Sequence, residues 1–179
     1  SWPGRVISVA SACQLDQPFD VTQSEPHGHQ PPRHPELDPM IWDERYAAAE
    51  QLWSGAPNQA LVAAVATLKP GRVLDVGCGE GADAIWLAQN GWHVTGLDVS
   101  GVALERAARH AGEAGVPVTW VHAGFVEAEL PPRSFELVSA QYPVLEKSPG
   151  LVAEHALLDA VAPSGTLVFV HHADFHLDD

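Results

Sequence analysis

Basic residues, thiols and long apolar runs are all scarce in this sequence. Lysine and arginine number 9 against 23 aspartates and glutamates, a formal charge of -14, and the few basic residues are scattered. Such a surface repels phosphate backbones, so a nucleic-acid substrate is disfavoured unless a partner supplies positive charge. Cysteine occurs twice, at Cys13 and Cys78, without a CxxC or other paired spacing. That argues against a zinc site or a disulfide framework and for a reducing cytoplasm. No apolar run approaches the roughly 18 residues that cross a bilayer, and the N-terminus lacks the order of a signal peptide. A soluble, unexported protein with no membrane partner is expected.

What is present suits one globular domain: 179 residues, 46% of them hydrophobic and 18% charged. Residues 1–39 hold Pro26, Pro31, Pro32, Pro35 and Pro39 among His27, His29 and His34, without sustained periodicity. They read as an extended or disordered arm, with the folded domain over 40–179. Helix formers follow Pro39, with acids in the first turn at Asp43 and Glu44. Asn58 then stands as the N-cap of a helix carrying Leu61, Val62, Val65 and Leu68 on one face.

Beyond Pro70-Gly71 the pattern alternates. Strands are predicted over 72–76, 93–97, 118–122, 135–140 and 166–171, and helices over 82–90, 101–114 and 151–161. Ser100 sits where an N-cap is wanted, and Gly91 and Gly115 where left-handed C-caps are wanted. Alternating strands and helices give an α/β fold with a doubly wound, mostly parallel sheet.

The most informative stretch runs Asp75-Val76-Gly77-Cys78-Gly79-Glu80-Gly81, an apolar strand entering three alternating glycines before a helix. Glycine there lets the backbone turn sharply and a ligand approach it closely. Asp98 ends the next strand about twenty residues on, where a carboxylate can accept from both hydroxyls of a ribose. Gly77, Gly79 and Ala82 also satisfy the relaxed GxGxxA pattern of dinucleotide sites, so a NAD(P)- or flavin-dependent oxidoreductase is a rival reading. Asp75 with Gly81 gives the DxGxGxG form, which favours S-adenosylmethionine.

On these blocks the chain resembles the class I S-adenosylmethionine-dependent methyltransferases, especially the small bacterial tellurite-resistance and thiopurine type. WDERY, LWSGAPN, VLDVGCGEGADAIWLAQNGW, VTGLDVS, FELVSAQYP and VAPSGTLVFV fall in that family's order. The resemblance implies a Rossmann-like fold, with S-adenosylhomocysteine as the product of the cofactor. By it, Asp75, Gly77, Cys78, Gly79 and Gly81 surround the methionine part, Asp98 holds the ribose and Val99 lies against the adenine. Trp42, Arg45 and Tyr46 would form an N-terminal lid, the arginine pairing with the cofactor's carboxylate.

Two departures from the family stand out. Many relatives carry an acid after the strand at 118–122 that accepts from the adenine amino group, whereas this chain reads His122-Ala123-Gly124-Phe125. Adenine recognition would then fall to backbone groups and packing, with Phe125. The family also ends in an antiparallel hairpin that this sequence lacks before Asp179. That leaves a fragment, or a sheet edge that a partner, such as a second copy in a homodimer, would cover.

For the acceptor, Gln141 and Tyr142 at the end of the strand over 135–140 are the candidates. The segment is not the (N/D)PPY signature of nucleic-acid amino methylation. His171 or His172 could serve as a base near neutral pH, and adjacent strand positions allow only one of them to face the pocket. A metal site joining these or His176 to His27, His29 or His34 lacks any supporting spacing, so no metal is expected. The leading function is methyl transfer to a small-molecule acceptor. The rival from another class is a catalytically silent S-adenosylmethionine-binding or partner-binding module.

Overall fold

The computed structural model describes residues 4–11, 39–48, 55–141 and 152–172. The histidine-bearing part of the expected arm, with His27, His29 and His34, lies outside the described residues, as do Cys13, Tyr142 and His176.

Six strands form one sheet: β1 (Arg5–Ser11), β2 (Arg72–Val76), β3 (His93–Asp98), β4 (Thr119–His122), β5 (Phe135–Gln141) and β6 (Val161–His172). Their order is β1-β6-β5-β2-β3-β4, and every neighbouring pair is parallel. From β2 the chain moves outward to β3 and β4, then returns to lay β5 on the other side of β2. The strand order therefore reverses between β2 and β5, and the carboxyl ends of the strands at such a reversal are where sheets of this kind bind ligands.

Among the described residues, five helices accompany the sheet: α1 (Pro39–Ala48), α2 (Gln59–Val65), α3 (Ala82–Gln89), α4 (Gly101–Ala114) and α5 (Val152–Ala160). Proline opens α1 because its missing N–H is one the first turn leaves unbonded anyway. Asn58 caps α2 by accepting from the Ala60 N–H at 2.8 Å, and Ser100 caps α4 by accepting from the Ala103 N–H at 3.1 Å. Gly115 ends α4 at φ 70°, where a Cβ would be strained.

Apolar side chains point alternately to two cores, one on each face of the sheet. Leu61 and Val65 of α2 and Ala84 and Leu87 of α3 pack with Val73, Val94, Leu137, Val168 and Val170. On the other face, Leu157 and Ala160 of α5 pack with Leu74, Val76, Leu97, Val138 and Leu167. No helix lies between β4 and β5; Phe125, Ala128 and Leu130 of that connection cover the second face instead.

Two expectations change. The arm over 1–39 contains a strand, because β1 pairs with β6 from Arg5↔Thr166 to Ser11↔His172. The β6 edge expected to be bare is therefore covered by the chain's own N-terminal residues. The last strand also starts earlier than 166, since Val161 already pairs with Phe135 before a bulge carries the ladder to Leu137↔Thr166. Ser164 takes φ 61° within that bulge.

Candidate functional site

The turn after β2 is tied to β3 by its own backbone. The Gly77 and Cys78 N–H groups both donate to the Leu97 carbonyl, at 2.8 and 3.0 Å. Gly77 has φ 72°, and nothing lies within 4 Å of where its Cβ would stand, so its backbone faces open space. Gly81 differs: at φ 90°, its missing Cβ would meet Ala107 and Trp120, each at 3.0 Å. Gly77 thus keeps room for a ligand, while Gly81 lets α4 and β4 close on the turn. Trp120 also covers Gly96, whose Cβ position lies 2.6 Å from the indole ring.

Asp98 stands at the centre of this arrangement. Its Oδ2 accepts from the Gly79 N–H at 2.8 Å and its Oδ1 from the Ser100 N–H at 2.9 Å. Each carboxylate oxygen can accept a second bond, so both retain capacity for a ligand's hydroxyls. Burial raises the Asp98 pKa, the N–H groups of Ser100, Gly79 and Val99 oppose the rise, and the charge of Asp43 adds to it. The turn after β2 and the end of β3 therefore hold an oriented acceptor at the carboxyl edge of the sheet.

Asp75 lies deeper, only 2% exposed, and its Oδ2 has no hydrogen-bond partner among the described residues. Burial raises its pKa well above the usual carboxylate range, with Asp83 and Asp98 adding to the effect. An unsatisfied buried oxygen calls for a donor, and an ammonium group is the kind of ligand that supplies one. The neighbouring Cys78 is buried and free, its thiol pushed up first by burial and then by Asp75 and Asp98.

Several contributors were not visible in the sequence. Asp43 of α1 accepts from the Ser100 hydroxyl at 2.5 Å and from the Val102 N–H at 3.2 Å, docking α1 on the start of α4. Glu80, in the turn, bonds Arg106 of α4 at 2.9 Å. His122 bonds the Val99 carbonyl through Nε2 at 2.9 Å, and its ring lies over Gly101. No local pattern marks these residues, because each partner is remote in sequence; α1 opens at Pro39, so Asp43 and Glu44 lie beyond the first turn in which they were expected.

The predicted residues are distributed as follows. Asp75, Gly77, Cys78, Gly79, Gly81, Asp98 and Val99 come together at the ends of β2 and β3. Tyr46 is buried in α1, the Trp42 ring lies 6.1 Å from its ring between centroids at a tilt of 36°, and the Arg45 guanidinium lies 5.0 Å over the Trp42 ring. Phe125 is partly buried against the second core. Gln141 ends β5, and His171 and His172 end β6 on the same edge of the sheet. Among the described residues no three His, Cys, Asp or Glu side chains gather as a metal site would require.

Residues 73–165 match the family model described as a methyltransferase domain. Among curated relatives, an uncharacterized methyltransferase of Mycobacterium bovis is 36% identical over 122 residues, covering 68% of this chain and 61% of that protein. A ubiquinone biosynthesis O-methyltransferase of Photorhabdus laumondii is 38% identical over 100 residues, covering 55% and 41%. A short match, 56% over 36 residues, reaches a ribosomal RNA small subunit methyltransferase of Alcanivorax borkumensis and covers 20% and 11%. The chain thus spans about three fifths of the first relative and less of the others.

Solved structures agree on the fold. One, from work on the conversion of a disulfide bond into a thioacetal group during echinomycin biosynthesis, superposes with a TM-score of 0.63 at 28% identity. It covers 72% of this chain and 57% of that one. A methyltransferase from Thiobacillus denitrificans in complex with S-adenosyl-L-homocysteine superposes with a TM-score of 0.55 at 24% identity, covering 69% and 52%.

Proposed function

The chain belongs to the class I S-adenosylmethionine-dependent methyltransferases, and from that premise we propose that it transfers the cofactor's methyl group to a small, soluble acceptor in the cytoplasm. The observation that carries the cofactor reading is Asp98, fixed by two backbone N–H groups with acceptor capacity left on both oxygens. In this reading Asp98 takes the ribose hydroxyls and Val99 borders the adenine. Asp75, through its unpartnered Oδ2, and the turn from Gly77 to Gly81 receive the methionine ammonium and backbone. The residues present fit the group in two respects: Asp98 keeps acceptor capacity for the ribose hydroxyls, and Asp75 offers an unpartnered oxygen to the ammonium. Family membership also displaces the oxidoreductase reading, whose glycine pattern this turn satisfies only in relaxed form.

Bound S-adenosylmethionine supplies a methyl group on a sulfonium, open to in-line displacement by an acceptor's lone pair, with S-adenosylhomocysteine as the leaving product. The protein's task is chiefly alignment at about 3 Å. α1, held to α4 by Asp43, is the candidate lid that excludes water, with Trp42, Arg45 and Tyr46 on it. Gln141, the last residue of β5, and Tyr142, next in sequence, are the candidates for acceptor contact. An acceptor that keeps its proton at neutral pH needs a base, and His171 or His172 is the candidate; a soft thiol-like or acidic aromatic nucleophile would need none. The formal charge of -14 favours such acceptors over RNA.

Calorimetric titration with S-adenosylmethionine and S-adenosylhomocysteine tests the reading. Binding to the chain is expected, with a loss of about tenfold or more in Asp98→Ala, the scale of charge-assisted hydrogen bonds. Folded protein that binds neither would reject it. Binding of both without turnover across an acceptor screen would favour the silent binding module.

A further inference from the structure

We propose that Glu127 recognises the purine amino group of the cofactor, supplying from three residues further on the carboxylate that position 124 lacks. The inference rests on the cofactor reading above and assigns a residue that the sequence motifs do not mark. The connection after β4 begins against the site, because the Ala123 N–H donates to the Asp98 carbonyl at 3.1 Å. It then closes a turn in which the Ala128 N–H donates to the Gly124 carbonyl at 3.0 Å. Ala128 and Leu130 anchor that turn in the second core, so the segment carrying Glu127 has a defined position.

The turn folds the Glu127 side chain back over Gly124. Its Oε2 occupies the place where a Cβ on Gly124 would stand. Gly124 does not have a positive φ, so its backbone does not demand glycine. What glycine provides here is space, and the Glu127 carboxylate fills it. Gly124 and Glu127 are therefore two halves of one arrangement, one removing a side chain and the other bringing an acid to the vacated place.

The chemistry of that acid limits what it can take. A carboxylate only accepts hydrogen bonds, so its ligand must present a donor. Glu127 makes no hydrogen bond with any described residue, and the turn that carries it starts where the Ala123 N–H donates to the Asp98 carbonyl. The carbonyl of Val99, the residue after Asp98, is already engaged by His122 Nε2 at 2.9 Å. Of the groups on a nucleoside whose ribose sits on Asp98, the exocyclic amino group of adenine is the one that offers donors without competing for that carbonyl.

The test is calorimetric titration of the full chain with S-adenosylhomocysteine and with the analogue that has hydrogen in place of the purine 6-amino group. The chain is expected to prefer S-adenosylhomocysteine by about tenfold or more. Glu127→Ala should bind both ligands with the affinity the chain shows for the analogue, and Glu127→Gln should keep part of the preference through its amide oxygen. Adding Gly124→Asp to Glu127→Ala should restore the preference, because the acid returns to the same place from the backbone position itself. Glu127 is exposed, so unchanged melting of the variants is expected and checks their folding. A preference that survives in Glu127→Ala, or a chain that binds the two ligands equally, overturns the assignment while leaving the cofactor reading intact. A chain that binds neither ligand overturns both.

Discussion

Asp75 is held where its charge is least welcome, under the glycine turn, with one oxygen unbonded and two further acids nearby. A folded-state pKa above the unfolded value means the native protein binds the proton more tightly. The carboxyl therefore costs nothing below the unfolded pKa, and stability falls as pH rises from there toward the folded value. Asp75→Asn should raise the melting temperature at pH 8, each 1 kcal/mol being worth about 2–4 °C in a chain of this size, and the gain should shrink on acidification. The same variant should weaken S-adenosylmethionine binding. Scanning calorimetry across pH checks the first expectation; a gain independent of pH would show that the buried charge is not its source. Asp75, Asp98 and the glycines were legible from spacing alone because the turn that unites them is local. Glu127 was not, since its role depends on a side chain folding back over a neighbour's missing Cβ. Asp43 was not either: the Ser100 hydroxyl it accepts from lies 57 residues away.

Among the elements, those with their own start and stop signals were legible to within a residue or two. α4 spans the expected 101–114 between Ser100 and Gly115, and β2 the expected 72–76. β6 was the exception, because Val161 resumes the ladder before a bulge that carries proline and a left-handed Ser164, both signals that normally end a strand. How α1 attaches was also hidden. A helix with one buried residue, Tyr46, has little apolar face to hold it. Asp43 supplies a polar attachment instead, adding a negative charge to the positive end of α4. Asp43→Ala should cost about 1 kcal/mol, as other losses of a capping carboxylate do. Amide exchange should quicken across α1 more than across α3 or the central strands. Uniform quickening throughout the domain would mean that α1 is not separately fastened by this residue.

For the molecule as a whole, the feature that local pattern could not reveal is how the sheet is completed. RVISVAS is rich in β-branched residues, but it precedes a proline-rich stretch and its partner lies more than 150 residues away, so only the three-dimensional pairing shows it to be a strand. β1 lies parallel to β6 on the side where the family places its antiparallel hairpin, and Ile7 packs against the first core. Unpaired N–H and carbonyl groups along β6 would otherwise form a template for other chains. Deleting residues 1–11 should therefore lower the melting temperature and produce concentration-dependent association on light scattering, whereas the intact chain should not show that rise. Ile7→Ala keeps the backbone pairing and removes only side-chain packing at a partly buried site, so it should cost about 1–2 kcal/mol without association. The contrast separates two contributions of the strand, hydrogen-bonded closure of the edge and apolar packing on the core. If the deleted chain stays monomeric with unchanged melting, β1 closes nothing that matters; if Ile7→Ala associates as readily as the deletion, packing and not backbone pairing is what protects β6.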